Sequence, residues 1–445
     1  FISPSLIIIT YLIYIISKRT RLRKSMSDDE VKEKTTNKTS QMEGLDLEDG
    51  NKNSSGLNLK YKPKRAYMGF IFFIILLCVI LRYAASEMLD KLYSFDECKI
   101  IDAKLNAKCL GNQAVYRVTF AGVLFFLCMA CLTCPRCDFH SGYWCVKVPI
   151  FLCGIVVSFF IPNPFFDQYA HVARVLSVFF IFLQVMILID LAYDLHEYIL
   201  DPTGEGADPD VAKSQQCKYL CLCAVCLLAV LVGAILLYVY FSSCSTNTTM
   251  ITVCVLVPLC LTFLSLQNTC IDIDKGLLTP LVVWVYCLYM CWQAIWSNPD
   301  PVCNPYNNTG NKESLSGAII GIVITCLSIA WASTSAAGSA PNLFRVSKSS
   351  DAEKSEQQLQ EEHEVRGNTY YHLIMAMGCF YIAMLLTNWG KVDGSSTVSS
   401  DSVSDTNMWV KFGSVLGVLV LYTWTLIAPV LCKNRDFSDS VNSFR

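Results

Sequence analysis

The ionisable residues that fall inside apolar stretches are few, and most lie in one segment. Between Phe166 and Leu200, Asp167, His171 and Arg174 recur at i, i+4 and i+7, which places them on one face of a helix. Asp190, Asp194 and Glu197 repeat that spacing further along, with His196 beside them. An ionisable group within a membrane helix is costly and usually faces protein or a wet cavity. Such residues could line a polar track beside which lipid headgroups or ions move. The plainer reading is that both clusters lie at the headgroup level of a tilted helix and anchor it. The candidate pathway residues are Arg174, Asp190, Asp194, Glu197 and Arg117. For Arg117, in Ala114-Val115-Tyr116-Arg117, two readings stand: pairing with a carboxylate of that long segment, or snorkelling to the interface, with the second favoured. Lys411 reads the same way.

Other constellations carry less chemistry. Cys131, Cys134, Cys137 and His140 form C-x2-C-x2-C-x2-H, residue types that suit zinc. The spacing is too compressed for a paired-knuckle site, so juxtamembrane S-acylation fits better, as it does for Cys217, Cys221 and Cys223. There is no G-x-x-x-x-G-K-[ST] phosphate loop, no H-E-x-x-H pair and no G-x-S-x-G elbow. Only five histidines occur. No catalytic residue, metal or cofactor is expected, and the chain is not expected to be an enzyme.

The elements that must position these residues are membrane spans. Hydrophobic residues make up 53% of the 445 and charged residues 16%, against about 25% charged in soluble domains. Mean hydropathy is +0.41. The apolar residues come in blocks near the roughly 20 residues that cross a bilayer as a helix. The blocks are continuous rather than alternating, which excludes a strand barrel. The fold class is an all-α polytopic membrane protein with about ten spans: 66–85, 113–134, 144–162, 166–200, 217–241, 247–266, 279–296, 315–333, 370–389 and 408–432. The fourth, about 35 residues, would run roughly 50 Å and must tilt strongly or project into water. Gly317-x3-Gly321 and Gly413-x3-Gly417 put small residues on one helix face and allow close packing. Three regions follow: residues 1–65, the spans over 66–432, and a tail over 433–445. Within the first, Ile7–Ile16 is a short apolar run that fits a signal anchor, an interfacial helix or the end of a further span. Residues 18–65 have a disordered composition. The chain opens on Phe1 rather than Met, which leaves room for residues upstream.

Basic residues favour the cytoplasmic side. Lys60, Lys62, Lys64, Arg65, Lys213, Lys218, Arg345, Lys348, Lys354, Arg366, Lys433 and Arg435 then share that side, and both ends of the span region are expected there. The first loop breaks the pattern with Lys91, Lys99, Lys104 and Lys108. Sequons at Asn247 and Asn307 fall on the opposite, lumenal side and are candidate glycosylation sites, whereas those at Asn37 and Asn53 should stay bare. Most of the 23 cysteines lie in apolar blocks as small hydrophobes. Cys98 and Cys109 in the first lumenal loop are a plausible disulfide, with Cys244 and Cys303 as competing partners. A net charge of −2 implies no nucleic-acid partner.

Several segments, in order, resemble the serine incorporator family. Gly111-Asn112-Gln113-Ala114-Val115-Tyr116-Arg117-Val118 is similar to the start of its second helix. His140-Ser141-Gly142-Tyr143-Trp144 and then Phe159-Phe160-Ile161-Pro162 resemble its third. Thr387-Asn388-Trp389 closes the ninth helix as in that family, and Trp409-Val410-Lys411 with Ala428-Pro429-Val430-Leu431-Cys432 resembles its last. The likeness runs from about residue 66 to the C-terminus, and residues 1–65 depart from it. It implies ten helices in two four-helix bundles crossed by a long diagonal fourth helix. It also implies lipid binding, phospholipid scrambling and support of serine incorporation into phosphatidylserine and sphingolipids. The partners expected are membrane phospholipids, sphingolipids or sterols, and lipid-synthesising enzymes. The membrane expected is the plasma membrane or an endomembrane. A scaffold for those enzymes, with the acidic Asp351–Glu364 stretch as its contact surface, and a secondary transporter are the alternatives.

Overall fold

The computed structural model describes residues 63–83, 86–91, 103–133, 139–140, 142–200, 209–266, 276–304, 322–326, 356–390 and 400–431. Long helices dominate them, and no strand occurs among the described residues. In chain order the long helices are α1 (Pro63–Tyr83), α2 (Ala103–Leu132), α3 (Trp144–Ser158), α4 (Asn163–Leu200), α5 (Pro209–Phe241), α6 (Ser245–Leu266), α7 (Leu278–Trp296), α8 (Glu356–Thr387) and α9 (Ser400–Leu431). All but α3 contain a stretch long and apolar enough to cross a membrane. The chain is an all-α polytopic membrane protein. Of the ten predicted spans, α1–α7 match the first seven, and α8 and α9 match the last two. The predicted span 315–333 lies outside the described residues except for 322–326, which are helical. The Ile7–Ile16 run, the 18–65 stretch up to residue 62, Cys98, Asn307, Asn37, Asn53, Gly317, Gly321 and the 433–445 tail also lie outside them; Pro63, Lys64 and Arg65 are helical and open α1.

The chain divides into a unit over Phe1–Arg65 and one over Ala66–Arg445. Within the second, the helices form two groups. α1, α2, α3, the first half of α4 and α8 share one core, in which Ile71, Ile74 and Cys78 meet Val118, Phe126, Phe166, Met375, Cys379 and Ile382. α5, α6, α7 and α9 pack with one another. There α7 is the central element: 89% of its most apolar stretch is buried, against 33% for α5 and for α6. α4 packs on α2 and α8 of one group and on α5, α7 and α9 of the other. Its 38 residues span about 57 Å at 1.5 Å per residue.

Several helices outrun the spans predicted for them. α2, α5, α8 and α9 begin eight or more residues earlier, because hydropathy registers only the apolar part of a continuous helix. Cys109, expected in a loop, therefore lies on α2 and is buried. α3 ends early instead, at Ser158 rather than residue 162. Pro162 disfavours helical backbone in Ile161, and Phe159 and Phe160 close the end by bonding back to Val156 and Val157 at 3.1 and 3.0 Å. The Gly413–Gly417 pair is only half a packing device: a Cβ on Gly417 would run into the Phe182 ring of α4, whereas one on Gly413 would meet nothing within 4 Å.

Candidate functional site

The site is assembled around α4. Asp167, Arg174 and Asp190 are partly exposed, and His171 is exposed. Arg174 to Asp190 is sixteen residues, about 24 Å along the axis. Asp194 and Glu197 continue the helix, and their side chains lie outside the described set. Two side chains fill the interval between the charges. Ser177 and Gln184 are buried, and Ser177 Oγ and Gln184 Oε1 have no hydrogen-bond partner among the described residues. Buried polar atoms without a partner are uncommon and call for a polar guest or water. Arg174, Ser177 and Gln184 fall within a sector about 80° wide at 3.6 residues per turn, and Asp190 lies about 120° further round. The polar series winds around the helix rather than holding one face. Sequence reasoning passed over Ser177 and Gln184, because an isolated Ser or Gln in an apolar helix carries no spacing signal.

Where α8 ends, a four-residue turn ties both helix groups to α4. Thr387 closes the helix; Asn388 and Trp389 then take positive φ of 52° and 60°. This left-handed backbone is sparse for residues other than glycine, and costly for a bulky one. It is held by bonds from Trp389 N to Met384 O at 2.9 Å and from Gly390 N to Thr387 O at 3.0 Å. From α2, Tyr116 donates to Gly390 O at 2.6 Å and lies 3.1 Å from Thr387 Oγ1. From α4, Arg174 Nη2 reaches the same Gly390 oxygen at 3.4 Å. From α9, Asn407 donates to Asn388 O at 2.8 Å, and Lys411 Nζ reaches Asn388 Oδ1 at 3.2 Å. Lys411 also donates to Ser297 Oγ of the α7 C-cap at 2.7 Å and to Gln293 O at 3.4 Å. It is buried on three neutral acceptors and does not snorkel.

Arg117 does not snorkel either. It is fully buried. Its Nη2 donates to Asn163 Oδ1 at 2.6 Å and Ile161 O at 3.2 Å, its Nη1 to Gln113 O at 3.3 Å, and its guanidinium lies 4.7 Å from the Phe166 ring centroid. These contacts tie α2 to the turn that joins α3 to α4. They fix where the long helix starts.

The serine incorporator family model matches residues 50–369 and 346–435. The chain belongs to the serine incorporator family. A protein of Dictyostelium discoideum named "Probable serine incorporator" is 30% identical over 400 residues, 83% of this chain and 93% of the relative. One of Nematostella vectensis with the same name is 27% identical over 440 residues, covering 87% and 92%. Serine incorporator 3 of Mus musculus is 27% identical over 441 residues, covering 84% and 92%.

Two further polar clusters lie at the ends of the helices. At the end of α2 opposite Cys109, Lys147 of α3 is fully buried in a nest of rings. Its Nζ donates to Tyr67 Oη at 2.9 Å and His140 O at 3.1 Å, and lies 4.5 Å from the Trp144 ring centroid. His140 Nδ1 lies 3.1 Å from His372 Nε2 of α8. His140 thus joins a histidine pair; Cys134 and Cys137 lie outside the described residues, and no group of three metal-binding side chains occurs among those described. Lys147 was missed because its partners are distant in sequence. At the other end, Cys244 and Cys303 form a disulfide with Cα atoms 5.1 Å apart. The predicted competition resolves into this pair, and Cys109 is also disulfide-bonded. Asn247 is fully buried beside it: its amide donates to Cys303 O at 2.7 Å and its Oδ1 accepts from Asn298 at 3.1 Å. The nitrogen that a glycan would occupy is committed to this corner.

Proposed function

We propose that this member of the family is a non-enzymatic lipid handler in which phospholipid headgroups pass beside α4. The observation that carries the reading is the polar series Arg174, Ser177, Gln184 and Asp190, set between the two helix groups. A charged headgroup crossing hydrocarbon pays a large desolvation cost. Polar atoms spaced along a helix lower that cost stepwise, and α4 offers them over about 24 Å of a roughly 30 Å hydrocarbon layer. Asp194 and Glu197 extend the series, and Arg117 sets its register. The ligands are phospholipids, with sphingolipids or sterols in the same class of bilayer partner, and serine incorporation into phosphatidylserine and sphingolipids would follow from lipid supply.

Redox chemistry supports an orientation with both ends of the span region in the cytosol. Cys109, Cys244 and Cys303 are oxidised at one set of helix ends, while Cys131, Cys145, Cys217 and Cys221 are exposed free thiols at the opposite set. Disulfides persist in oxidising compartments and not in the cytosol. We read the thiol ends as the cytosolic ends, in plasma membrane or endomembranes, and both ends of the span region with them.

The test is fluorescent-lipid scrambling by the purified protein in liposomes. Wild type equilibrates the leaflets; Asp190→Asn with Asp194→Asn, and separately Gln184→Leu, slow exchange while preserving the folded state by melting. Unchanged exchange in both removes α4 from the pathway. A second reading has one observation in its favour: α8 runs helically from Glu356, nine residues before its apolar stretch begins at Val365. That acidic extension could dock lipid-synthesising enzymes, and its deletion would then lower serine incorporation with scrambling intact.

A further inference from the structure

We propose that Cys217 and Cys221 are S-acylated, so that the start of α5 is held in the cytosolic leaflet by two thioester-linked fatty chains. The sequence places four cysteines in this stretch, at 217, 221, 223 and 226. The structure sorts them. Cys217 and Cys221 are exposed, whereas Cys223 and Cys226 are 4% and 1% exposed and face the helix group. The exposed pair is spaced i, i+4 and shares one helix face. Its surroundings are those of a membrane boundary. Lys213 and Lys218 are exposed, and the outward side chains Leu220, Leu227 and Leu228 follow. Cys217 is one turn beyond Lys213 and Cys221 one turn deeper, each step about 6 Å. The two thiols thus straddle the boundary, Cys217 at the level of Lys213 and Lys218 and Cys221 just past Leu220, where the outward apolar side chains begin.

The orientation argued above puts this helix end in the cytosol, where thiols stay reduced and acyl-coenzyme A is available; the proposal rests on that reading. The chemistry is a thioester exchange. The Sγ of each cysteine attacks the carbonyl carbon of an acyl-coenzyme A thioester supplied by a membrane acyltransferase. A new sulfur–acyl bond forms, the bond to coenzyme A breaks, and the departing thiolate takes up the proton that the cysteine loses. No oxidant or reductant is needed. Each chain adds membrane affinity with every CH2 it buries, and two chains on successive turns pin the helix end in depth and in rotation.

The test is acyl exchange on the full chain expressed in cells. Free thiols are blocked, thioesters are cleaved with hydroxylamine, and the released thiols are tagged with a polyethylene glycol maleimide. Cys217→Ser and Cys221→Ser each remove one hydroxylamine-dependent mass step, the double variant removes two, and Cys223→Ser removes none. A double variant with the wild-type ladder overturns the proposal. Orientation is read separately, by tagging the hydroxylamine-released Cys217 with a membrane-impermeant maleimide. Tagging only after permeabilisation supports the cytosolic placement. Tagging from outside sealed cells refutes the orientation itself, whatever the acyl ladder shows.

Discussion

Replacing Arg117 by Met tests whether a buried guanidinium sets the start of α4. The substitution keeps an unbranched apolar stem and removes every charged contact. One is the 2.6 Å bond to Asn163 Oδ1, and another is the 3.2 Å bond to Ile161 O. A hydrogen bond to a charged group contributes about 1.5–3 kcal/mol, and an acceptor left buried without a donor costs about 1–3 kcal/mol. The Phe166 contact adds roughly 0.5–2 kcal/mol. Because these overlap, the expected loss for Arg117→Met is about 3–5 kcal/mol. The decisive quantity is the coupling to Asn163, from a double-mutant cycle of Arg117→Met and Asn163→Ala. Neutral hydrogen bonds between membrane helices average about 0.6 kcal/mol in such cycles. A charged, fully buried pair should couple by about 1.5–3 kcal/mol. The measurement is reversible unfolding in mixed detergent micelles, followed by tryptophan fluorescence. A coupling at or below about 0.6 kcal/mol would refute the assignment and return Arg117 to the interface.

Three further outcomes follow from single contacts. Gly417→Ala forces a methyl against Phe182 and should cost about 1–3 kcal/mol, while Gly413→Ala should be neutral or raise the melting temperature; equal effects would mean that α9 does not approach α4 at that point. Asn247→Gln should leave the glycosidase-sensitive gel shift unchanged yet lower the melting temperature, whereas Asn307→Gln should abolish the shift. Cys244→Ser should cost about 2–4 kcal/mol by releasing the staple, and Cys244→Ser with Cys303→Ser should cost no more than either alone, since one bond is lost in each case.

What the sequence reveals and what it hides divide along physical lines. α4 was legible because length and hydropathy are local: an apolar run too long for the bilayer, with charges at helical spacing, needs no partner to be recognised. The ends of α2, α5, α8 and α9 were not, because a polar turn that continues a helix looks like a loop to any hydropathy argument. Side-chain fate was the least legible. Arg117 and Lys411 lie near span ends and resemble interfacial anchors, but their burial is decided by Asn163 and Ser297, 46 and 114 residues away. The same holds for Lys147, whose hydroxyl acceptor Tyr67 is 80 residues distant. Cysteine pairing was half legible. Topology places Cys244 and Cys303 on one side, but which thiols join depends on the fold of the segment between them, which separates the two cysteines by 59 positions.

The turn from Thr387 to Gly390 bears on how α4 could serve as a lipid route. Two consecutive positive-φ residues other than glycine persist only where surrounding contacts over-determine them. Here the contacts come from α2, α4 and α9, and through Lys411 from α7. Membrane helices gain little from apolar association, so polar ties of this kind decide which ends stay together. For a headgroup to pass beside α4, the two groups must part somewhere along it, and the turn holds them at the Arg174 end. The parting then falls to the middle and the Asp190 end, where Ser177 Oγ and Gln184 Oε1 have no partner among the described residues. Asn388 separates the two contributions. Asn388→Gly keeps the left-handed backbone but loses the oxygen that Lys411 and Asn407 share. Asn388→Ala loses that oxygen and adds a left-handed penalty of about 1–2 kcal/mol. Both should lower the melting temperature, Ala more than Gly. If the turn is the fixed end of an opening seam, Asn388→Gly should raise scrambling while lowering stability. Scrambling that falls in step with stability would make the turn a support of the fold and nothing more.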